Sequence, residues 1–598
     1  MNPRSDSIGE VLGKAGTQRV APTVKSGAAR LWPAPGTKEI VLCAATFLAF
    51  VGTLAFGFVY DDRPQIITNP AIHAWSYLPR YFTSHVWNDI YSGRVGNYYR
   101  PLFLVWLRLN YAAWGLTPQW WHLTTVLCHV LVTYLVFRLT QSLTGDRNTA
   151  FLAGLLFGLH PAHIENVAWV SGVTDSLMAI FFLASLCAYL RYRDDKKKVW
   201  LCATIAAFAL ALLIKETAIV LPLLIVAYEW PDKHDAQASM GATTRRLATV
   251  LMPFGVVAAA YLLARNAALG GFSPQSLSMS RKMMVLTWPS GLWFYVRHLL
   301  WPSGLSEFYP SLPISHISAP ESVGSLLLLL MVTAAIWGLV RWLGWSRATR
   351  CAVALLVFPI LPALYFPALS VADMLHDRYL YLPLAGFTVL LAMALEKLAA
   401  TGFRGALVRW GVAGLLVAGY TVGTLTQQLQ WANDRRLYAT GIESAPDNNL
   451  VRDNLADTLI DSGEYDRAFP LCVEVLRRDP NYWRANYHLA FLYYKTGHYA
   501  EAEKYFIRAI QIDPTDSDEF INLGVVQMHQ GRLDEALGNT RRAIQISPRA
   551  PGYHLVLGFM LKQKGLRSDA ADQFRLELVY NPGNEKAAQA LREIEQEK

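Results

Sequence analysis

The chain has 598 residues, 53% hydrophobic and 17% charged, with 19 Trp and a mean hydropathy of +0.23; a soluble globular chain carries roughly a quarter charged residues. That balance excludes a disordered or fibrous chain and points to a membrane. The formal net charge of +9 does not indicate a nucleic-acid partner, because residues 1–430 hold 33 Lys+Arg and 20 Asp+Glu while residues 431–598 hold 21 and 25.

In chain order, residues 1–38 form a tail with six basic and two acidic residues. It leads into an apolar run too long, and too far from the N-terminus, for a cleaved signal peptide, so the tail reads as cytoplasmic and the run as a signal anchor. Apolar stretches then recur at 40–59, 119–140, 149–160, 170–190, 199–214, 217–230, 247–264, 322–343, 351–367, 379–396 and 409–427, about eleven candidate spans. Those at 149–160 and 217–230 fall well short of the ~20 residues of a straight crossing and read as half-helices. Two further apolar helical patterns, 101–116 and 284–301, lie beside or contain Arg100, Arg108, Arg297 and His298 and read as interfacial or re-entrant. With the N-terminus inside, 22 basic residues of 1–430 fall on the inner side and 11 on the outer, which orients the chain N-in and C-out. The outer face then carries loops 60–118 and 265–321 and everything after about 428, so the membrane domain is 39–430 and its chemistry is expected outside. Five of the six cysteines sit in apolar runs and Cys472 stands alone, so no disulfide framework or zinc spacing follows.

Residues 431–598 repeat. Prolines at 446, 480, 514, 548 and 582 keep a period of 34, with Gly463, Gly497, Gly531 and Gly565, then Ala468, Ala502, Ala536 and Ala570, in the same register. Four phased helix pairs of the tetratricopeptide kind, capped by a polar helix over 584–598, follow from this spacing. The first helices of such pairs line a concave face that takes an extended peptide, with Arg484, Tyr487, Tyr494 and Lys495 as acceptor-binding candidates; exposed helix positions or dimer contacts are the plainer alternative. The fold class is thus all-α, a polytopic helix bundle followed by an α-solenoid.

Ionisable side chains at the membrane edge default to functional candidates. Five clusters fall on outer ends: Tyr60-Asp61-Asp62-Arg63; Tyr98-Tyr99-Arg100 with Arg108; His160-Pro161-Ala162-His163-Ile164-Glu165 with Asp175; Lys215-Glu216; and His376-Asp377-Arg378-Tyr379, with Arg265 and Arg297 in other outer stretches. Adjacent carboxylates push one pKa up, which suits a general base or a metal ligand, whereas an aspartate helix cap is the bland reading. His160, His163 and Glu165 could bind a metal, but loop histidines satisfied by hydrogen bonds are the stronger reading. Arginines beside an apolar groove suit a lipid-phosphate head group.

The ordered set Phe58-Val59-Tyr60-Asp61-Asp62, Tyr99-Arg100-Pro101-Leu102, His160 to Ala168, Lys215-Glu216 and Asp377 to Pro383, followed by the repeats, resembles the transmembrane-and-tetratricopeptide-repeat O-mannosyltransferases. The resemblance implies a GT-C membrane fold, a polyprenyl-phosphate-linked mannose donor, Ser or Thr hydroxyls of an exported protein as acceptors, and Asp61 and Asp62 as the catalytic pair. Where that family reads Gly-Arg-Ala-Glu/Asp, residues 172–175 read Gly-Val-Thr-Asp, so the Arg is absent. No Asn-x-Ser/Thr sequon occurs in the chain, which favours a bacterial inner membrane, with the repeats periplasmic. The expected chemistry is inverting transfer with Asp61 or Asp62 as base. The leaving phosphate is met by Arg378, then Arg265, Arg100 and Lys215, and His160, His163, Glu165, Asp175, Glu216 and Tyr379 play supporting parts. No metal or other cofactor is predicted, a divalent ion being the less favoured alternative. The other functional readings are the same enzyme acting on a lipid or glycan acceptor, and a non-catalytic membrane-anchored repeat scaffold.

Overall fold

Helices of the membrane half begin and end where the sequence places Pro, Gly and capping side chains. The computed structural model describes residues 36–90, 96–231, 240–271, 279–310, 320–366 and 374–596, and all regular structure among them is helical. Most of the predicted tail and parts of the two predicted outer loops (91–95, 272–278, 311–319) lie outside the described residues.

α1 (Thr37–Phe50) precedes the Asp61–Asp62 loop, and then follow α2 (Pro70–His73), α3 (Pro101–Trp114) and the long α4 (Pro118–Thr144). Pro101 and Pro118 take first helical positions, where the missing N–H has no intrahelical partner to lose. Gly145 closes α4 at φ +72, and Asp146 Oδ2 accepts from Thr149 N at 2.7 Å to open α5 (Arg147–Gly158). The bundle continues through α6 (Ile164–Ala168), α7 (Thr174–Asp195), α8 (Lys198–Ile214), α9 (Leu221–Glu229), α10 (Met240–Leu269), α11 (Arg281–Leu300), α12 (Pro320–Leu343), α13 (Arg347–Val357), α14 (Tyr381–Ala399) and α15 (Phe403–Gln427).

Eight helical segments among the described residues are long and apolar enough to cross a membrane: 37–55, 118–144, 171–195, 244–269, 323–343, 347–364, 377–399 and 403–432. They coincide with eight of the eleven predicted stretches. The other three are shorter: α5 has 12 residues, α8 has 17, and 217–230 is split into a 3-10 turn (Glu216–Val220) and the 9-residue α9. At about 1.5 Å per residue, α5 and α9 reach only about 18 and 14 Å of a core about 30 Å thick. Hydropathy counts apolar residues without regard to helix continuity, and Pro161 and the Lys215-Glu216 pair interrupt it here. The span windows of α10 and α12 are only 17% and 11% buried. Leu326, Leu327, Leu330, Met331 and Trp337 of α12 are exposed, a surface that lipid covers and water does not. The chain is a multi-pass membrane protein. At the bundle end away from Asp62, Glu229 binds Arg193 (2.9 Å), Arg246 (3.0 Å) and the Tyr189 hydroxyl (2.8 Å), and Glu39 binds Arg147 (2.7 Å).

After a 3-10 turn at Gln428–Ala432 comes α16 (Asp434–Ser444), then four antiparallel pairs. These are α17 (Asn449–Asp461) with α18 (Tyr465–Arg478), α19 (Trp483–Lys495) with α20 (Tyr499–Ile512), α21 (Ser517–His529) with α22 (Leu533–Ile546), and α23 (Tyr553–Gln563) with α24 (Arg567–Tyr580). α25 (Glu585–Gln596) ends the array. Gly463, Gly497, Gly531 and Gly565 turn the chain between the members of each pair at φ +75, +80, +80 and +84, a conformation a side chain disfavours. Trp431, Leu437, Tyr438 and Val451 join the membrane-side residues Phe56, Trp169 and Phe308 in one buried cluster, so the repeats sit on the bundle end that carries Asp62.

Candidate active site

Asp61 and Asp62, adjacent in sequence, face different surroundings. Asp62 is fully buried. Its Oδ1 accepts from Ser171 N (2.8 Å) and Ser171 Oγ (2.7 Å), and its Oδ2 accepts from Val59 N (3.2 Å). Burial pushes its pKa up to about 7, against the lowering effect of those donors. Asp61 lines a cavity of about 270 Å³, near the lower end of ligand clefts (about 300–1,000 Å³). Between them and Val59, Tyr60 sits at φ +52, a backbone conformation that costs a non-glycine residue about 1–3 kcal/mol and is concentrated at functional sites. A single π-helical turn, Arg63–Ile67, follows directly.

The cavity wall draws on distant parts of the chain, including Asp61, Gln65, Trp87, Tyr98, Arg100, Trp169, Ser171, Glu307, Arg378 and Tyr379. Residues from all five predicted clusters therefore meet at or beside one cavity. Arg378 Nη1 donates to Glu165 Oε1 (2.6 Å) and to Glu307 Oε1 (3.2 Å), and Arg378 N donates to Glu165 Oε2 (2.9 Å). The guanidinium also lies 5.4 Å from the Trp169 ring and 5.7 Å from that of Tyr379. Arg100 is held by Glu216 through Nε (3.4 Å) and Nη2 (3.1 Å) and covers the Tyr98 ring at 4.5 Å. Trp169 stacks on Trp431 at 5.7 Å, and its buried Nε1–H has no hydrogen-bond partner among the described residues.

Several predicted site residues stand behind this wall or away from it. Lys215 Nζ, buried, donates to Asp175 Oδ2 at 2.6 Å, and Asn166 Nδ2 donates to the same oxygen at 3.2 Å. This pair supports the floor beneath Thr174 and Tyr379 without lining the cavity. Arg265 donates to Asn97 O at 2.9 Å and is likewise outside the wall. His160 accepts from Ala162 N (3.2 Å), capping the Pro161–His163 turn, and His163 packs on Tyr381 and Phe157 with ring centroids 4.6 and 4.3 Å apart. The two histidines thus serve the turn and the packing around it, and Glu165 of their motif reaches the cavity only through the lining residue Arg378. In the repeats, Arg484 Nε meets Asp453 Oδ2 (3.1 Å), Tyr487 Oη accepts from Asn522 Nδ2 (3.1 Å), Tyr494 lies 3.4 Å from His529 Nε2, and Lys495 covers Phe491 at 4.9 Å. All four lie on α19, and three of them touch α17 or α21, along the row of first helices.

Sequence reasoning missed Glu307, Ser171, Trp169 and Asp434. Glu307 sits in Pro/Gly/Ser-rich sequence after α11 and carries no motif; its one signal is that the outer stretch 265–321 holds only Glu307 and Glu321 as carboxylates. Among the described residues, Glu165, Glu307 and His376 could hold a metal ion, all buried, with ligand atoms within 4.8 Å of one another. The Arg378 guanidinium bridges the two carboxylates of that group.

A second cavity, of about 480 Å³, is almost wholly apolar. α11, α12, α13 and α14 line it through residues such as Tyr295, Leu299, Leu329, Ala335, Leu380 and Phe387. Tyr379 and Leu380, consecutive residues, line the polar and the apolar cavity respectively.

Comparison with known proteins agrees with this layout. Residues 101–255 match the family model described as dolichyl-phosphate-mannose-protein mannosyltransferase, and residues 459–523 match a tetratricopeptide repeat model. A protein O-mannosyl-transferase of Caenorhabditis elegans is 26% identical over 454 residues, covering 74% of this chain and 63% of the relative. Protein O-mannosyl-transferase Tmtc1 of Drosophila melanogaster is 27% identical over 520 residues, covering 71% and 59%. In its membrane half and its repeats the chain is thus similar to the transmembrane-and-tetratricopeptide-repeat O-mannosyltransferases. Protein O-mannosyl-transferase TMTC3 of Mus musculus, 24% identical over 530 residues, has 55% of its length covered, so the chain spans little more than half to three-fifths of these members. Among solved structures, MamA is 24% identical, with 25% of this chain and 89% of that chain covered and a TM-score of 0.23.

Proposed function

We propose that the chain transfers mannose from a polyprenyl-phosphate donor to Ser or Thr hydroxyls of proteins, with inversion, at the membrane face that bears the repeats. The observation that carries this reading is the pocket itself: a carboxylate, Asp61, shares one cavity wall with the cations Arg100 and Arg378, and Leu380, next in sequence to the wall's Tyr379, lines an apolar cavity. The names of the relatives and the description of the matched model support the donor class and the protein acceptor.

In the proposed reaction the acceptor hydroxyl attacks the anomeric carbon as the bond to the phosphate oxygen breaks, and the bonding pair leaves with the polyprenyl phosphate. Asp61 takes the hydroxyl proton, a general-base contribution of roughly 10²- to 10⁴-fold. Asp62, buried and saturated with donors, holds the loop. Arg378 and Arg100 face the phosphate, whose leaving oxygen gains charge as the bond breaks, so fixed cations there lower the barrier. The Trp169 ring and its unpaired Nε1–H suit a pyranose face and a sugar hydroxyl. The isoprenoid tail lies in the apolar cavity.

The reaction is read as metal-free, with Arg378 filling the space between Glu165 and Glu307. The arrangement of Glu165, Glu307 and His376 favours a second reading, in which a divalent ion displaces that guanidinium. The orientation is N-in with the repeats outside, in a bacterial inner membrane; the acceptor reaches the pocket from the repeat side, where α19 supplies Arg484, Tyr487, Tyr494 and Lys495. The test is transfer of radiolabelled mannose from polyprenyl-phosphate mannose to a Ser/Thr-rich peptide by the purified full chain, with and without chelator. Transfer that resists chelator supports both parts; loss restored by Mn²⁺ or Mg²⁺ sinks the metal-free part, and no transfer under any condition sinks the whole reading.

A further inference from the structure

Asp434 opens α16, the first helix after the membrane half, and is buried to 4% exposure. An aspartate at this position ordinarily serves its own helix N-terminus. Here both oxygens turn to the catalytic loop: Oδ1 accepts from Tyr60 N at 2.8 Å, and Oδ2 pairs with Arg63 Nε at 2.6 Å. Gly57 N donates to Ala432 O at 3.2 Å alongside, and Arg63 Nη1 reaches on to Asp461 of α17 at 3.7 Å. The Tyr60 ring packs on Phe308, Trp169 and Tyr438 at 5.6, 5.7 and 6.4 Å.

Asp61 is therefore bracketed. On one side Asp62 is fastened by Ser171 and Val59; on the other, Tyr60 and Arg63 are fastened by Asp434. Tyr60 holds an unfavourable positive φ, and a strained residue keeps its conformation only where its surroundings over-determine it. The buried carboxylate on its N–H is the hydrogen bond that the repeat half supplies, beside the Tyr438 ring. We propose that Asp434 is a positioning residue for Asp61: seating the first repeat-side helix on the membrane half sets the catalytic loop, so the repeats complete the site as well as offering a binding surface. This rests on the reading of Asp61 as the base.

The test uses the full chain in detergent or liposomes, comparing wild type with Asp434→Ala, Asp434→Asn and Asp434→Glu. For mannose transfer to a short soluble peptide, Asp434→Ala is expected to lower kcat at least tenfold with the donor KM within twofold. Asp434→Asn keeps an acceptor oxygen for Tyr60 N and is expected to recover kcat to within threefold of wild type. A kcat for Asp434→Ala within twofold of wild type overturns the proposal, as do equal losses for the Ala and Asn variants. Should the Ala variant not fold, Asp434→Glu decides: its carboxylate is displaced by one methylene, so at least a threefold loss of kcat is expected and wild-type kcat overturns the idea. Hydrogen exchange at the Tyr60 amide supplies a readout independent of activity; at least tenfold faster exchange is expected in Asp434→Ala with α4 unchanged, and unchanged exchange refutes the contact. Inactive wild type with normal protection at Tyr60 would instead refute the functional reading and leave the contact standing.

Discussion

Asp61→Asn and Asp62→Asn separate the two members of the acidic pair, because their surroundings differ. Asp61 lines the cavity, and an amide there removes the proton acceptor without disturbing packing, so kcat should fall by roughly 10²- to 10⁴-fold. Thermal stability should be unchanged. At Asp62 three donors converge on two carboxylate oxygens. An asparagine there has one oxygen to offer; with that oxygen toward Ser171, its NH₂ faces the Val59 N–H and leaves a buried donor unpaired, at a cost of about 1–3 kcal/mol. Stability should drop by that order, with kcat falling less than in Asp61→Asn. The pH profile adds an independent check. Burial raises Asp62 to about 7, and its neighbours are donors that need an ionised acceptor, so the wild-type rate should climb between pH 6 and 8. The Asp62→Asn rate should lack that climb. Steady-state transfer from polyprenyl-phosphate mannose to a Ser/Thr peptide, with thermal unfolding on the same preparations, measures all three quantities. Wild-type kcat in Asp61→Asn would refute the assignment of the base, and identical effects of the two substitutions on rate and stability would refute the division of labour.

Arg378→Gln leaves Glu165 and Glu307 facing each other without the cation that bridges them; losing one partner of a buried pair costs about 3–5 kcal/mol, so a lower unfolding temperature and a loss of transfer larger than that of Arg100→Gln are expected. Ala335→Phe fills part of the apolar cavity from α12, so KM should rise severalfold for a long-chain donor and stay unchanged for a short-chain one, measured with paired synthetic donors. Glu519 in α21 is fully buried, neither of its carboxylate oxygens has a hydrogen-bond partner among the described residues, and burial together with Asp516, Asp513 and Asp518 raises it to about 9. A folded pKa above the unfolded value means its favourable contribution is complete below about pH 4.5 and is lost as pH rises toward 9. The repeat transition of the full chain should therefore weaken from pH 5 to pH 8 by calorimetry, and Glu519→Gln should flatten that decline.

Local pattern and local chemistry were legible in the sequence. The 34-residue columns place the Gly turn inside each helix pair and the buried Ala468, Ala502, Ala536 and Ala570, because each pair contacts only its neighbours and the period survives folding. Asp61, Arg100, Glu165 and Arg378 stand out because charge beside an apolar run is costly unless it is used. Long-range pairing was not legible. Lys215 looked like a phosphate cation, and its buried partner Asp175 lies 40 residues away; for His160 and His163 the sequence favoured satisfied loop histidines over metal ligands, but could not name the Pro161 turn and Tyr381 as what they meet. Glu307 and Asp434 carry no motif, since their importance comes from what lies opposite them in the fold. Eight of the eleven stretches are long enough to span, and the two read as half-helices, α5 and α9, are cut short by breaks that a hydropathy window averages away.

The α12 helix is a wall one helix thick. It lines the apolar cavity with Leu329, Ala335 and Leu339 and presents Leu326, Leu330 and Trp337 on its other side. On the donor reading above, the lipid substrate has no need to pass through water: it slides in sideways from the leaflet, and the spent carrier leaves by the same door. Turnover then answers to the order of the surrounding acyl chains, and a bilayer cooled into the gel phase should stall the enzyme while leaving its pocket intact.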